Sequence, residues 1–590
     1  MQNVSDIISR ELLPRVRKPG QYIGRETNAR YPDFSAAEVR LALCYPDSYS
    51  VGISHLGSQL LYQLVNDMPG VACDRAYCPM PDAEAVMRAR GVPLFGWESR
   101  CRLADFDIVG FSLAHEGCLT NVLTMLDLAG IAIHAAQRKQ GDPIIIGGDS
   151  MADAPEPMAD FIDIFCVGDG ECMLPELIEL VGAAKATGAS RDDILLQAAR
   201  QIAGVYVPRF YEAQYNTDGT LAGIRPTVPG LPEKIARRHL DCLSDSPGLV
   251  KPLVPLSEAV HDRVTIEIMR GCPNACRFCQ AGHVRNPIRC RSVDEIIAIA
   301  DQAIAATGYR EISLLSLSTS DYPQFAELID RLNAIYTPRN ISLSLPSLRV
   351  DSQLATIPKL TSQVRKHGLT IAAETGSERL RRSIRKNITD EAMLAGVTAA
   401  WQAGWRSVKV YFMAGLPGEG EADIDAMFDL CRRLSDSRRA VDGQRGAITA
   451  SVSWLVPRPH TPMQFAAART EEYYWSVRNR LREMSRRSVI AFKFHRIERS
   501  LLEAAISRGD RRLGKVIELA WRAGQRFDAW DEYFDFNKWR QAFTDARVDP
   551  AFYANREHDF AECLPWDHID SGRPRQVLET QYQRMLAELE

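Results

Sequence analysis

Two long parts of the chain alternate continuous apolar runs with stretches whose apolar residues recur at helical spacing. In the first part, residues 38 to 184, the runs are EVRLALCYP, FDIVGFSLA, DPIIIGG and DFIDIFCVGDGE. Between them lie SHLGSQLLYQLVNDM, with Ser54 placed to cap a helix, and NVLTMLDLAGIAIHAAQRK. Unbroken apolar strands separated by helices predict a parallel sheet covered on both faces, because a solvated face would impose alternation. Gly147, Gly148, Gly168 and Gly170 fall at the predicted strand ends, where open α/β sheets bind ligands. Tight turns alone also call for glycine at such positions.

The same rhythm returns over residues 256 to 465. RVTIEIM, EISLLSL, ISLSLPS, LTIAAE, SVKVYFMAG and ITASVSWLVP supply six strands. SVDEIIAIADQAIAATG, TDEAMLAGVTAAWQAG and ADIDAMFDLCRRL supply helices. Right-handed crossovers curl six such units into a partial (βα)6 barrel with its loops at one mouth. Residues 1 to 37 read as an extension, and 185 to 255 as a proline- and glycine-punctuated linker with some strand (AGVYVPRFYEAQY). Residues 466 to 590 read as a mainly helical C-terminal domain, which completes an α/β chain of several domains.

Composition changes this picture little. Hydrophobic residues at 46% and charged residues at 25% exclude disordered and collagen-like classes. The net charge of -4, from 71 basic and 75 acidic side chains, gives no whole-chain argument for nucleic acid. Locally, Arg469 to Arg526 holds 15 Lys/Arg against 7 Asp/Glu, interleaved with Trp475, Phe492, Phe494 and Trp521. That stretch is either a solvated helical face or a surface for RNA phosphates and bases. No apolar run reaches a membrane-spanning length, and MQNVSDIISRELLPRVRK lacks the apolar core of an export signal. A cytoplasmic location follows as the expectation, with the fourteen cysteines reduced.

One motif dominates the chemistry. RGCPNACRFCQAG follows the first strand of the second part and sets Cys272, Cys276 and Cys279 in a CxxxCxxC loop. Three thiolates on one short loop can hold three irons of a [4Fe–4S] cluster, leaving the fourth iron open unless Cys290 closes it. The competing zinc knuckle ordinarily needs a second paired ligand set, and none lies nearby.

The spacing, with Phe278 before the third cysteine, resembles the radical S-adenosylmethionine (SAM) superfamily. That resemblance implies an open iron that chelates SAM, with Ser316 and Ser318 of SLLSLSTSD near the SAM amino group. Glu374 of IAAETGSERLRRSIRKN is then a ribose contact, and Gly415 of VKVYFMAGLPGE lies near the adenine. GGDSMADAPEPMADFIDIFCVGDGE resembles the closing segment of a cobalamin-binding-type Rossmann domain, where Gly147, Gly148, Gly168 and Gly170 let backbone approach a corrin tail. With LPRVRKPGQYIG and LPWDHIDSG, nearly the whole chain resembles B12-binding-domain radical SAM proteins.

The implied function is reductive cleavage of SAM to a 5′-deoxyadenosyl radical, served by a reductant such as flavodoxin or ferredoxin. With cobalamin it becomes methyl transfer to an unactivated carbon. The alternatives are cobalamin-free modification of RNA or a ribosomal component, and a non-catalytic iron–sulfur redox sensor. The Asp-x-His-x-x-Gly motif that supplies a cobalt ligand in many cobalamin domains is absent, leaving His55 and His115 as lone candidates. A methylthiotransferase would need three N-terminal cysteines for a second cluster. Cys44, Cys78 and Cys118 are broadly placed for this, but no cysteine stands near Asp149, and the seven cysteines before residue 180 read as small core residues.

Overall fold

The computed structural model describes residues 1–344 and 369–589. The end of the predicted strand ISLSLPS, from residue 345, lies outside the described residues.

The first part folds as a six-stranded sheet of strands β1 (Val39–Tyr45), β2 (Val71–Tyr77), β3 (Ile108–Ser112), β4 (Ile144–Gly148), β5 (Ile164–Cys166) and β6 (Val205–Tyr206). Their order is β2-β1-β3-β4-β5-β6, with only β6 antiparallel. Leu41, Ile108, Ile144, Ile145, Ile164 and Phe165 are all buried, as a sheet covered on both faces requires. The order reverses between β1 and β3, which pair Leu41 with Ile108, so a crevice opens beyond their carboxyl ends. Closure by β6 carries this unit past residue 184 and takes in helices Gly170–Thr187 and Arg191–Gln201.

The helix after β1 is Leu56–Asn66, and its N-cap is His55 rather than Ser54: Nδ1 of His55 accepts the Ser58 N–H at 3.2 Å. Ser54 instead accepts backbone N–H groups of Val260 and His261 at 3.1 and 3.2 Å, tying this turn to the second part. The linker is similarly anchored. Its Ile235–Ala236 pairs in parallel with Ile569–Asp570 of the tail.

The second part builds two parallel arcs. Val264–Glu267, Glu311–Leu315 and Ser342–Ser344 form one, and Leu369–Glu374, Ser407–Ala414, Ala447–Trp454 and Ile490–Phe494 form the other. Ile266, Ile312 and Leu314 pack with one set of helices, while Val410, Phe412, Ala450 and Val452 pack with another. The seventh strand, Ile490–Phe494, carries the parallel βα pattern beyond residue 465. Its alternation (Ile490, Phe492 and Phe494 toward the covering helices) sits among arginines that read as helical surface in the sequence. The C-terminal helices are equally shared out: Leu502, Ile517, Trp521 and Trp539 join the core of the first part. Among the described residues no helix is long and apolar enough to cross a membrane.

Candidate active site

Past the first barrel strand, Met269–Arg270 pairs antiparallel with Arg289–Cys290 and closes the neck of a loop that carries all three motif cysteines. Both neck arginines converge on Asp169 at the end of β5. Its Oδ2 takes Arg289 Nη1 at 2.6 Å and faces Arg270 Nη1 at 3.2 Å. Arg270 also pairs with Glu171 and Glu267, each at 2.8 Å. Burial pushes the Asp169 carboxyl up, but the two guanidiniums outweigh it and hold the group down at about 2. The loop is thus fastened to the carboxyl edge of the first sheet.

Gly271 opens the loop at φ 94°, and a Cβ there would lie 2.9 Å from the Arg285 carbonyl oxygen and 3.0 Å from Ile288 Cα. Gly271→Ala should therefore cost about 1–3 kcal/mol of local strain. Lower iron uptake per chain on anaerobic reconstitution is the expected readout.

Cys272, Cys276 and Cys279 are all half-buried on this loop. Cys276 Sγ lies 3.8 Å from the Arg385 carbonyl oxygen, and Cys272 Sγ accepts from Asn274 Nδ2 at 3.5 Å. Burial pushes the Cys276 thiol up to about 11 and raises Cys279 as well, while the Lys386 ammonium works against both shifts. Bound iron is the natural way for thiols so placed to become thiolates. Three cysteines on one short loop can hold three irons of a [4Fe–4S] cluster, one thiolate per iron. Cys290 opposes Met269 in the neck and packs against the core of the first arc. Phe278 packs at the barrel mouth with Leu380, Ile384, Met413 and Leu455.

The other candidate residues gather around this loop. Asn274 also donates to Asp321 Oδ2 at 2.7 Å, and Ser318 Oγ donates to the same oxygen at 2.6 Å. Ser316 Oγ lies 3.0 Å from Thr319 Oγ1. Glu374 follows a bulge at φ 67° and pairs with Lys386 Nζ at 3.1 Å. Gly415, at φ 100°, donates its N–H to Glu419 Oε1 at 2.6 Å. Tyr473 OH donates to the same oxygen at 2.5 Å, while Glu419 Oε2 is buried without a partner. Burial lifts this carboxyl to about 7 against those two hydrogen bonds. Asn274, Asp321, Lys386 and Glu419 lie inside the motif-bearing segments of the sequence and Tyr473 lies outside them, and their partnerships emerge only from the fold.

In the first part the glycines divide. Gly148 ends β4 with open space at its Cβ position, and Gly147 is packed against Leu113. Gly168 lets the protein's own backbone approach, since a Cβ there would meet the Arg238 carbonyl oxygen at 2.0 Å, and Gly170 packs on Leu61. His55 is occupied as a cap, and its Nε2 faces Asp149 Oδ2 at 3.6 Å. The other Asp149 oxygen takes Arg285 Nη2 at 3.2 Å, a second fastening between the crevice edge and the cluster loop. His115 stands in extended backbone at the end of β3, before the turn Glu116–Cys118. Cys44, Cys73, Cys78, Cys101, Cys118 and Cys166 are buried and Cys172 is half-buried, as core residues are.

Much of the basic stretch is engaged inside the chain. Arg480 pairs with Asp425 at 2.5 Å, Arg511 with Glu156 at 3.0 Å and Arg526 with Glu84 at 3.3 Å. Arg512 and Arg522 pair with Asp510 and Glu518. Trp521 is buried, and Phe492 and Phe494 pack on the second arc. Those aromatic faces are closed to base stacking.

Comparison with known proteins places this geometry. Residues 57–208 match the family profile described as "Radical SAM proteins, N-terminal", and residues 266–431 match "Radical SAM superfamily". "Uncharacterized protein MJ0966" of Methanocaldococcus jannaschii is 24% identical over 487 residues, 81% of this chain and 90% of that one. A "tRNA-2-methylthio-N(6)-dimethylallyladenosine synthase" of Carboxydothermus hydrogenoformans is 27% identical over 225 residues, 35% of this chain, which spans half the length of that synthase. Among solved structures, the radical SAM methyltransferase TsrM from Kitasatospora setae, with cobalamin and a [4Fe–4S] cluster bound, aligns with a TM-score of 0.48 at 14% identity, over 72% of this chain and 77% of that one. The cobalamin-dependent SAM radical enzyme OxsB aligns with a TM-score of 0.47 at 12% identity, over 93% and 84%. With its cysteine loop at the mouth of a parallel α/β barrel and both family profiles matched in order, the chain belongs to the radical SAM enzymes.

Proposed function

We propose that Cys272, Cys276 and Cys279 each hold one iron of a [4Fe–4S] cluster whose fourth iron takes SAM, and that cobalamin occupies the crevice beyond β1 and β3. The cluster would supply an electron that cleaves SAM to methionine and a 5′-deoxyadenosyl radical, and the cobalamin would supply a methyl group for an unactivated substrate carbon. A one-electron donor of the flavodoxin or ferredoxin kind completes the reaction. The observation that carries this reading is the double fastening of the cluster loop, by Asp169 and Asp149, to the carboxyl edge of the first sheet. A ligand in the crevice then faces the cluster loop directly.

In this arrangement the chain's own residues bind and orient. Ser316 and Ser318 offer hydroxyls beside the loop for the SAM amino group. Glu374, held by Lys386, offers a carboxylate to the ribose, and the buried turn at Gly415, with φ 100°, would border the adenine. Gly147 and Gly148 form the crevice floor for a corrin tail. The synthase relatives named for tRNA support RNA modification as the second reading, for which Arg486 and Arg487 are basic residues with no ion pair among the described residues.

S-adenosylhomocysteine decides between them. Reconstituted protein with SAM, reductant and a mixed pool of small-molecule and RNA substrates should form it only when cobalamin is added. Formation of 5′-deoxyadenosine with no cobalamin-dependent S-adenosylhomocysteine would refute methyl transfer and advance the RNA reading.

A further inference from the structure

The lumen of an α/β barrel is ordinarily filled by branched apolar side chains. Here the lumen face is polar and open. On the strand Ser407–Ala414, Val408, Val410 and Phe412 pack against helices, so Lys409 and Tyr411 point to the opposite face. The same alternation turns Thr449 and Ser451 inward on the next strand, and Ala491 and Lys493 on the last. Strand register then aligns Tyr411, Ser451 and Lys493 in one row across three strands, with Lys409 and Thr449 in the row below. Tyr411 opposes Ala372 in the pairing with the strand that ends at Glu374. The row therefore lies just beneath the level of Glu374.

Charge on this face is unbalanced. Its acids are already matched: Glu267 pairs with Arg270 at 2.8 Å and Glu374 with Lys386 at 3.1 Å. Lys409 Nζ donates to Tyr411 OH at 2.7 Å and has no carboxylate partner among the described residues, and neither does Lys493. An exposed lysine on an edge strand can serve only to discourage sheet pairing. Lys409 lies on an interior strand, where that purpose does not arise, whereas Lys493 is exposed on the edge strand and joins the row through its register with Ser451. In the first arc the unpacked face presents Leu315, 37% exposed, and Leu317 beyond it is 45% exposed.

From this juxtaposition we infer that the barrel's substrate is an amphiphilic anion, a phosphate ester or a carboxylate, whose charged end is held by Lys409, Lys493, Tyr411 and Ser451 while its apolar part lies toward Leu315 and Leu317. The inference rests on the reading of the barrel as a SAM-cleaving site and adds the class of molecule that it acts upon. Two ammonium groups with no carboxylate partner among the described residues attract anions and repel cationic substrates.

Pyridoxal phosphate is a suitable probe. Its aldehyde condenses with lysine amines, borohydride fixes the adduct, and its phosphate directs it to anion sites. Peptide mapping of reconstituted protein should show labelling at Lys409 or Lys493 several-fold above the exposed lysines Lys139, Lys251 and Lys515. Protection by inorganic phosphate would point to a phosphate ester, and protection by hexanoate to a carboxylate. In Lys409→Gln/Lys493→Gln protein the preference and the protection should both vanish, with iron content unchanged. Even labelling of all lysines, or protection by neither anion, would overturn the inference. Iron content and 5′-deoxyadenosine from the same protein report separately on the reading beneath it.

Discussion

Cys276→Ala protein, reconstituted anaerobically, should retain a fold and lose its chemistry. Iron per chain is expected to fall from about four towards one or less, because two thiolates hold a [4Fe–4S] cluster poorly. Formation of 5′-deoxyadenosine should drop to the background of enzyme-free controls. Cys276 is half-buried, and alanine in its place leaves little void, so unfolding is not expected to confuse the result. The contrast is Cys290→Ala. Since Cys290 packs on the core of the first arc, its loss should leave iron and SAM cleavage intact. Comparable losses in both variants would mean that four cysteines close the cluster.

The second large effect belongs to Asp169. Its side chain is 2% exposed, and it neutralises Arg289 at 4% and Arg270 at 11%. Asp169→Asn leaves two buried guanidiniums around a neutral amide, and breaking a buried ion pair from one side costs about 3–5 kcal/mol. A marked fall in the thermal midpoint should accompany reduced iron uptake, because the lost contact closes the neck of the cluster loop. An exposed pair provides the control: Glu176→Gln, which loses only its bridge to Arg238, should shift stability by under about 1 kcal/mol. The same carboxylate predicts an acid limit. Its folded value of about 2 lies below the free value of about 3.9, so its contribution is complete above pH 4 and is lost as pH falls towards 2. Asp169→Asn should flatten the acid limb of a pH–stability curve over that window. An unchanged limb would show that other carboxylates set it.

The sequence carried the cluster loop and the strands around it because both are local signals. A CxxxCxxC spacing needs no tertiary context to be seen, and each of the six barrel runs from RVTIEIM to ITASVSWLVP contains a strand among its described residues. Six cysteines in the first part proved buried, consistent with their reading as small core residues. What the sequence concealed was long-range. The strand Ile490–Phe494 is five residues long inside an arginine-rich stretch, so its alternation was swamped by charge. The basic balance of that stretch suggested an RNA surface, yet its counter-ions Glu84, Glu156 and Asp425 come from distant parts of the chain. Gly168 looked like a ligand approach and accommodates the linker backbone at Arg238. Asn274, inside the cysteine motif, and Asp321 join the cluster loop to the second strand end across 47 residues, a pairing that no local pattern announces.

The central claim is that three cysteines leave one iron of a cubane open to SAM. Mössbauer spectra of protein reconstituted with iron-57, recorded with and without SAM, address it directly. One iron of the four should change its isomer shift and quadrupole splitting when SAM is added, and Cys290→Ala should leave this response intact. A spectrum indifferent to SAM, with all four irons in equivalent sulfur surroundings, would contradict it.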